Sequence, residues 1–191
     1  MHGHPTFKLK CDKHGNPAHF KARYVCRGCT AVYSQDYTKT TSPTACMESF
    51  QVLAHISAAL NWEIEQLDIK TVFLNGVLDS NEVCFIEQPE GFIEHGFEDH
   101  IWELQHSLYG MKQGGQVWNK TLNSQLVNWG FTCLNCEYCV YYRHDSDSIV
   151  VVVIHIFMLG SSKLSQVKFK KQLQTRWQIS DGGPVVTALY A

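Results

Sequence analysis

The stretch QLDIKTVFLNG, Gln66 to Gly76, decides the reading of this chain. Its body is an apolar run interrupted by one carboxylate, Asp68, and its end is an Asn-Gly pair. That pattern predicts a strand over Ile64–Phe73 that runs into a turn. An acid at a strand end, beside a turn, is well placed to hold a divalent cation against a phosphate, because hard cations take oxygen ligands.

Working upstream, Phe50, Leu53, Ile56 and Leu60 recur at helical spacing up to Asn61. Ser42-Pro43 reads as the start of that helix, with Ser as cap and Pro at the first helical position. Phe7–Lys10 and His19–Val25 read as short strands around a turn at His14-Gly15-Asn16-Pro17. Downstream, Val83–Ile86 is a second short strand. Trp118, Leu122, Leu126 and Trp129 mark an amphipathic helix stopped by Gly130. Cys139–Arg143 and Ile149–Leu159 are strand-like and joined by the polar His144–Ser148. Lys163–Trp177 reads as a last helix, followed by a Gly-Gly-Pro stop. Strands and helices are mixed and several strands are joined by short turns. The fold class expected is therefore α+β, with an antiparallel sheet backed by helices.

At 191 residues the chain has the length of one well-cored domain rather than two. Its 45% apolar and 18% charged residues fit a globular protein and exclude a disordered one. The net charge of −2 is not the basic excess usual in nucleic-acid binders. The average conceals an asymmetry, however. Seven Lys/Arg stand against two acids in residues 1–40, eleven acids against one base in 61–103, and five bases against no acid in 162–179. Two basic ends around an acidic middle would frame a nucleic-acid groove; the plainer reading is solvated faces of different sign. No apolar run reaches membrane-spanning length, and MHGHPTFKLK lacks the apolar core of a signal peptide, so no membrane partner and an intracellular setting are expected.

QLDIKTVFLNG, followed by FIEQPEGF (Phe85–Phe92), WELQHSLYGMKQ (Trp102–Gln113) and CVYYR (Cys139–Arg143), resembles the reverse transcriptases of copia-type retrotransposons, motif by motif and in order. The resemblance runs from about Phe7 to Asp181. It implies the fingers and palm of a polymerase over the single domain 1–191, with fingers to about residue 60 and palm from about 61. No thumb, ribonuclease H or integrase motif is expected. KARYVCRG (Lys21–Gly28) looks like the family's fingers strand, so Lys21, Arg23 and Arg27 are the matching contacts to the incoming nucleotide's triphosphate. Arg suits that role through its planar, two-pronged donor. Asp68 matches the first catalytic aspartate and Phe73 the aromatic that excludes a 2′-hydroxyl. Phe73 fits a core position equally well. Gly110, Lys112 and Gln113 match the segment beneath the templating base pair. There the family's usual Gln-Ala-Pro is Gln113-Gly114-Gly115, which exchanges a stiff segment for a floppy one.

One departure outweighs the rest. Where the family carries an Asp-Asp pair on a hairpin, this chain reads IVVVVIHIFMLG, Ile149 to Gly160, and no Asp or Glu occurs between Asp147 and Asp181. The family's two Mg²⁺ ions need hard oxygen anchors, and Asp68 supplies one; His155 is a ligand better suited to zinc. Single groups that stabilise a transition state are worth about 10²–10³ in rate, so two lost carboxylates predict a loss of roughly four orders of magnitude or more. The expected function is a reverse-transcriptase-like domain inactive as an RNA-directed DNA polymerase, with weak, salt-sensitive binding of RNA, DNA or nucleotide. Two alternatives stand beside it. One is a slow metal-dependent nuclease or phosphoryl transferase using Asp68 with Asp147 or Asp181. The other is a self-associating interaction module, a homo-oligomer, exposing Ile154, Ile156, Phe157 and Met158.

Cys26 and Cys29 form one Cys-x-x-Cys pair, and Cys133, Cys136 and Cys139 form Cys-x-x-Cys-x-x-Cys. That spacing would place thiolates around a tetrahedral Zn²⁺ if the two groups met. The alternative is ordinary buried cysteine.

Overall fold

A computed structural model describes residues 1–80, 82–153 and 157–185. The chain divides into two compact units, Met1–Ser42 with Val72–Thr121 and Pro43–Thr71 with Leu122–Ala191. Each is described on its own.

The second unit holds a six-stranded antiparallel sheet in the order β10-β3-β9-β8-β7-β6. Its strands are β3 (Glu63–Ile69), β6 (Thr132–Cys133), β7 (Val140–Asp145), β8 (Ser148–Val153), β9 (Phe157–Gly160) and β10 (Ile179–Pro184). Alternation sorts the side chains onto two faces. Val140, Val151, Val153 and Leu159 share one face with Ile64, and pack with Leu53 of α1 (Met47–Ala59) and with Trp62. Phe157 on that face stacks on Phe50, ring centroids 4.2 Å apart. Tyr141, Glu65 and Leu67 lie on the other face. There α3 (Lys163–Arg176) contributes Phe169 and Leu173, and the second half of α2 (Gly114–Asn128) sends Asn123 to the Tyr141 hydroxyl. Burial on this scale, about 2 kcal/mol for each large side chain, is what holds short helices whose intrinsic stability is marginal.

The first unit is built of ribbons. β1 (Gly3–Cys11) and β2 (Pro17–Cys26) form a long hairpin, and β4 (Phe85–Glu87) pairs with β5 (Ile101–Glu103). A small core of Cys26, Cys84, Ile86 and Met111 sits at their base. The hairpin turn is fixed by Asp12, whose carboxylate accepts the His14 and Asn16 amides at 2.8 and 2.9 Å. Those two bonds, Asn16 first, lower the Asp12 pKa.

Several expectations are corrected. The Ser42-Pro43 start gives way to a helix that begins at Met47, after extended residues. Glu137 supplies the missing cap from another element: its carboxylate accepts the Ser49 hydroxyl at 2.9 Å and the Cys46 amide at 3.4 Å. The strand expected to Phe73 ends at Ile69, because Thr71 takes a left-handed φ of 52° and Val72–Asn75 coils into a 3₁₀ turn. Gly182-Gly183-Pro184 does not stop the chain but lies within β10 at the sheet edge. The pairing register shifts there between Asp181 and Gly183, and an edge strand tolerates Pro. Ile149–Leu159 contains two paired strands, with Val153 opposite Phe157. Ile154, His155 and Ile156 between them lie outside the described residues. The helix ends agree with the sequence. Asn61 and Gly130 adopt φ of 56° and 82°, and the amides of Trp62 and Phe131 reach back to Ser57 and Leu126, closing both helices with the same cap.

Candidate nucleotide and metal site

Asp68 stands exposed near the end of β3, on the face that carries Ile64 and Gln66, with Ser180 opposite it on β10. Two other acids on this strand pair face the opposite way. Glu65 is 5% exposed and Asp181 sits opposite Leu67; both carboxylates bond the Lys170 ammonium of α3, Asp181 at 2.7 Å. Burial pushes Lys170 down, but the bonds to Asp181 and Glu65 outweigh it and its pKa lies above the ordinary lysine value. Asp181 is lowered, first by Lys170 and then by the Gly183 amide.

Asp181 is therefore not the helper acid considered from sequence, since its carboxylate is held on the face away from Asp68. Asp147 is not either. It lies in the β7–β8 turn, at the far end of the sheet; counting along the ladder from Gln66 through Phe157 and Val153 puts it roughly 25–30 Å from Asp68. Among the described residues no group of three His, Cys, Asp or Glu is placed to hold a metal ion. The carboxylates present do not fit a pair of Mg²⁺ ions.

In the first unit, two of the expected residues, Arg23 and Phe73, meet on one aromatic ring. The Arg23 guanidinium lies over the Tyr109 ring, 4.9 Å from its centroid, and Phe73 meets the same ring edge-on at 5.3 Å. Tyr109 was not among the residues singled out from sequence, although its place beside Gly110 in SLYG marked it. The Cys26 amide bonds the Tyr109 carbonyl at 2.7 Å, so the end of β2 and the SLYG turn run backbone to backbone. Gly110 has φ 87°, and a Cβ there would overlap the Cys26 carbonyl oxygen; a Cβ on Gly28 would overlap the Gly110 carbonyl. Lys21 is half-buried opposite Lys8, and Arg27 is exposed.

Lys112 bonds the Tyr37 hydroxyl at 3.2 Å and lies over its ring. Gln113 is 1% exposed, and its amide donates to the Asp36 carbonyl at 2.8 Å, so it fastens a loop from inside. The floppy segment expected at Gly114-Gly115 is instead the first turn of α2.

The basic last helix is less free than its sequence suggests. Lys170 is held by Glu65 and Asp181, and Lys163 by Glu63. Lys168 and Lys171 line an open groove of about 840 Å³ together with Arg143, Asp145 and Asp147.

All eight cysteines are free thiols. Cys26 and Cys84 are buried, which raises both thiols, and Cys29 and Cys136 are exposed. Cys139 is pushed up to about 11, by burial first and Glu137 second. Cys133 donates to backbone carbonyls of Leu134 and Tyr138. Of the surface expected around 154–158, Met158 is fully buried and Phe157 half-buried against Phe50, and Ile154 and Ile156 lie outside the described residues.

Comparison with known families gives the chain its class. The family model for reverse transcriptase (RNA-dependent DNA polymerase) matches residues 4–190, so the chain belongs to that family. It is similar to the retrovirus-related Pol polyprotein from transposon TNT 1-94 of Nicotiana tabacum, 31% identical over 94% of this chain and 14% of that protein. It also resembles the Pol polyprotein from transposon RE1 of Arabidopsis thaliana, 28% identical over 78% of this chain and 10% of that protein. These likenesses place it among copia-type sequences. The chain thus spans a small part of the curated relatives it matches. No solved structure matches it.

Proposed function

We propose that this is a reverse-transcriptase-like domain without templated polymerase activity, whose remaining capacity is weak binding of nucleic acid or nucleotide through Lys21, Arg23 and Arg27. The division into fingers to about residue 60 and palm beyond belongs to the same reading. The observation that supports it is the isolation of Asp68. The family's chemistry, when two Mg²⁺ ions are bound, activates a 3′-hydroxyl and stabilises the leaving group. This chain sets one exposed carboxylate on that face of β3, ties its two nearest acids in register to Lys170, and has no Asp or Glu from 148 to 180. Arg23, over the Tyr109 ring, is a two-pronged donor suited to phosphate, and that role needs no metal.

Primer extension on an RNA template, with Mg²⁺ or Mn²⁺, tests the catalytic half. The expected result is no product above a control lacking protein; clear templated synthesis overturns the reading.

A further inference from the structure

The β1–β2 hairpin carries two unlike faces. Register puts Lys8 opposite Lys21, Lys10 opposite His19 and Thr6 opposite Arg23 on one face. Phe7 opposite Ala22 and Leu9 opposite Phe20 make the other. Near its base the apolar face joins the core through Tyr24. Farther out no described residue covers it, and Phe7 and Phe20 are 76% and 80% exposed. Bare aromatics at the surface carry a free-energy cost, so the ribbon's apolar face is the unsatisfied one.

The same unit presents the complementary surface. Residues 85–103 contain six acids and no Lys or Arg. The outward pairs of β4–β5 are Phe85 with Glu103 and Glu87 with Ile101. The loop between the strands is held open by the Gln88 side chain, which donates to the Phe97 and His100 carbonyls at 2.6 and 3.0 Å and accepts the Glu94 amide at 2.9 Å. So held, it leaves Phe92 76% exposed, with Ile93 beside it.

We propose that the β1–β2 ribbon of one copy of this chain docks on the 85–103 surface of a second copy. The ribbon's Phe7, Leu9 and Phe20 meet Phe92 and Ile93, and its lysines, on stems long enough to pass the ribbon's edge, meet the acids around that contact. A nucleic acid on the lysine face would leave the aromatics of ribbon and loop bare; a second copy covers both. Docking within one chain does not occur in this structure, where both surfaces are exposed. Each copy gives one surface and receives at the other. The contact is therefore heterologous, and it builds a ring or an open chain. The proposal does not depend on the nucleic-acid reading.

Sedimentation velocity under reducing conditions, on nuclease-treated protein, tests it. At low salt the average mass is expected to rise with concentration through the micromolar range. Lys8→Glu/Lys10→Glu alone, or Glu90→Lys/Glu94→Lys alone, sets like charge against like and gives monomers. Mixing the two variants restores association, because each reversed surface then meets its opposite. A wild-type monomer throughout, or a mixture no more associated than its components, overturns the proposal. The loop variant keeps the ribbon intact and leaves nucleic-acid binding unreduced, so the two readings fail separately.

Discussion

A methyl group on Gly110 would overlap the carbonyl oxygen of Cys26, at a backbone angle that L-residues avoid. Gly110→Ala is expected to cost about 3 kcal/mol in urea unfolding, combining left-handed strain with a clash against backbone that cannot rotate away. Gly115 is the opposite case: its φ is ordinary and the nearest atom a Cβ would meet is Ser42 Cβ at 3.5 Å. Gly115→Ala should stabilise by about 0.5–1 kcal/mol, chiefly by restricting the unfolded chain. Sequence marked Gly110 through its motif, but nothing in it said that the neighbour would be Cys26. Asp68 was legible as the one acid of QLDIKTVFLNG. That Asp181 faces away was not, because its direction depends on a ladder register set some hundred residues along the chain.

At the scale of elements, one lysine joins α3 to two strands. Lys170 and Glu65 are both largely removed from water, so Lys170→Met leaves a carboxylate without its counter-charge and should destabilise the protein by about 3 kcal/mol or more. Adding Glu65→Gln should recover a large part of that loss. The pH dependence follows from the two directions of shift. Asp181, lowered in the folded state, stabilises fully above the ordinary carboxylate value near 4, and that contribution vanishes as pH falls through its lowered value. Lys170, raised, contributes fully below the ordinary lysine value near 10.4 and loses its effect as pH rises through its raised value. The stability gap between wild type and Asp181→Asn should therefore narrow as pH drops from 7 toward 3. Helices and their glycine or asparagine ends were readable from spacing alone. β10 was not, because Gly-Gly-Pro carries a breaker signature and becomes a strand only with β3 beside it.

For the whole molecule, the proposed binding through Lys21, Arg23 and Arg27 would engage about three phosphates. The logarithm of the affinity for a single strand should then fall with the logarithm of salt at a slope of about −2, measured by fluorescence anisotropy. A slope near zero would remove the phosphate-driven part of the proposed function. Charge blocks in the sequence foretold the basic and acidic territories. They did not foretell that Glu65, Asp181 and Lys170 would neutralise one another internally, which leaves less free charge than the composition implies. The sheet's two borders carry a last implication. One is the two-residue β6, and the other, β10, is kinked by its register shift and ends in Pro184, which has no amide hydrogen to donate. Neither offers an incoming strand a straight run of free hydrogen-bonding groups, so the large sheet resists the indefinite cross-β stacking to which uncapped sheets are prone.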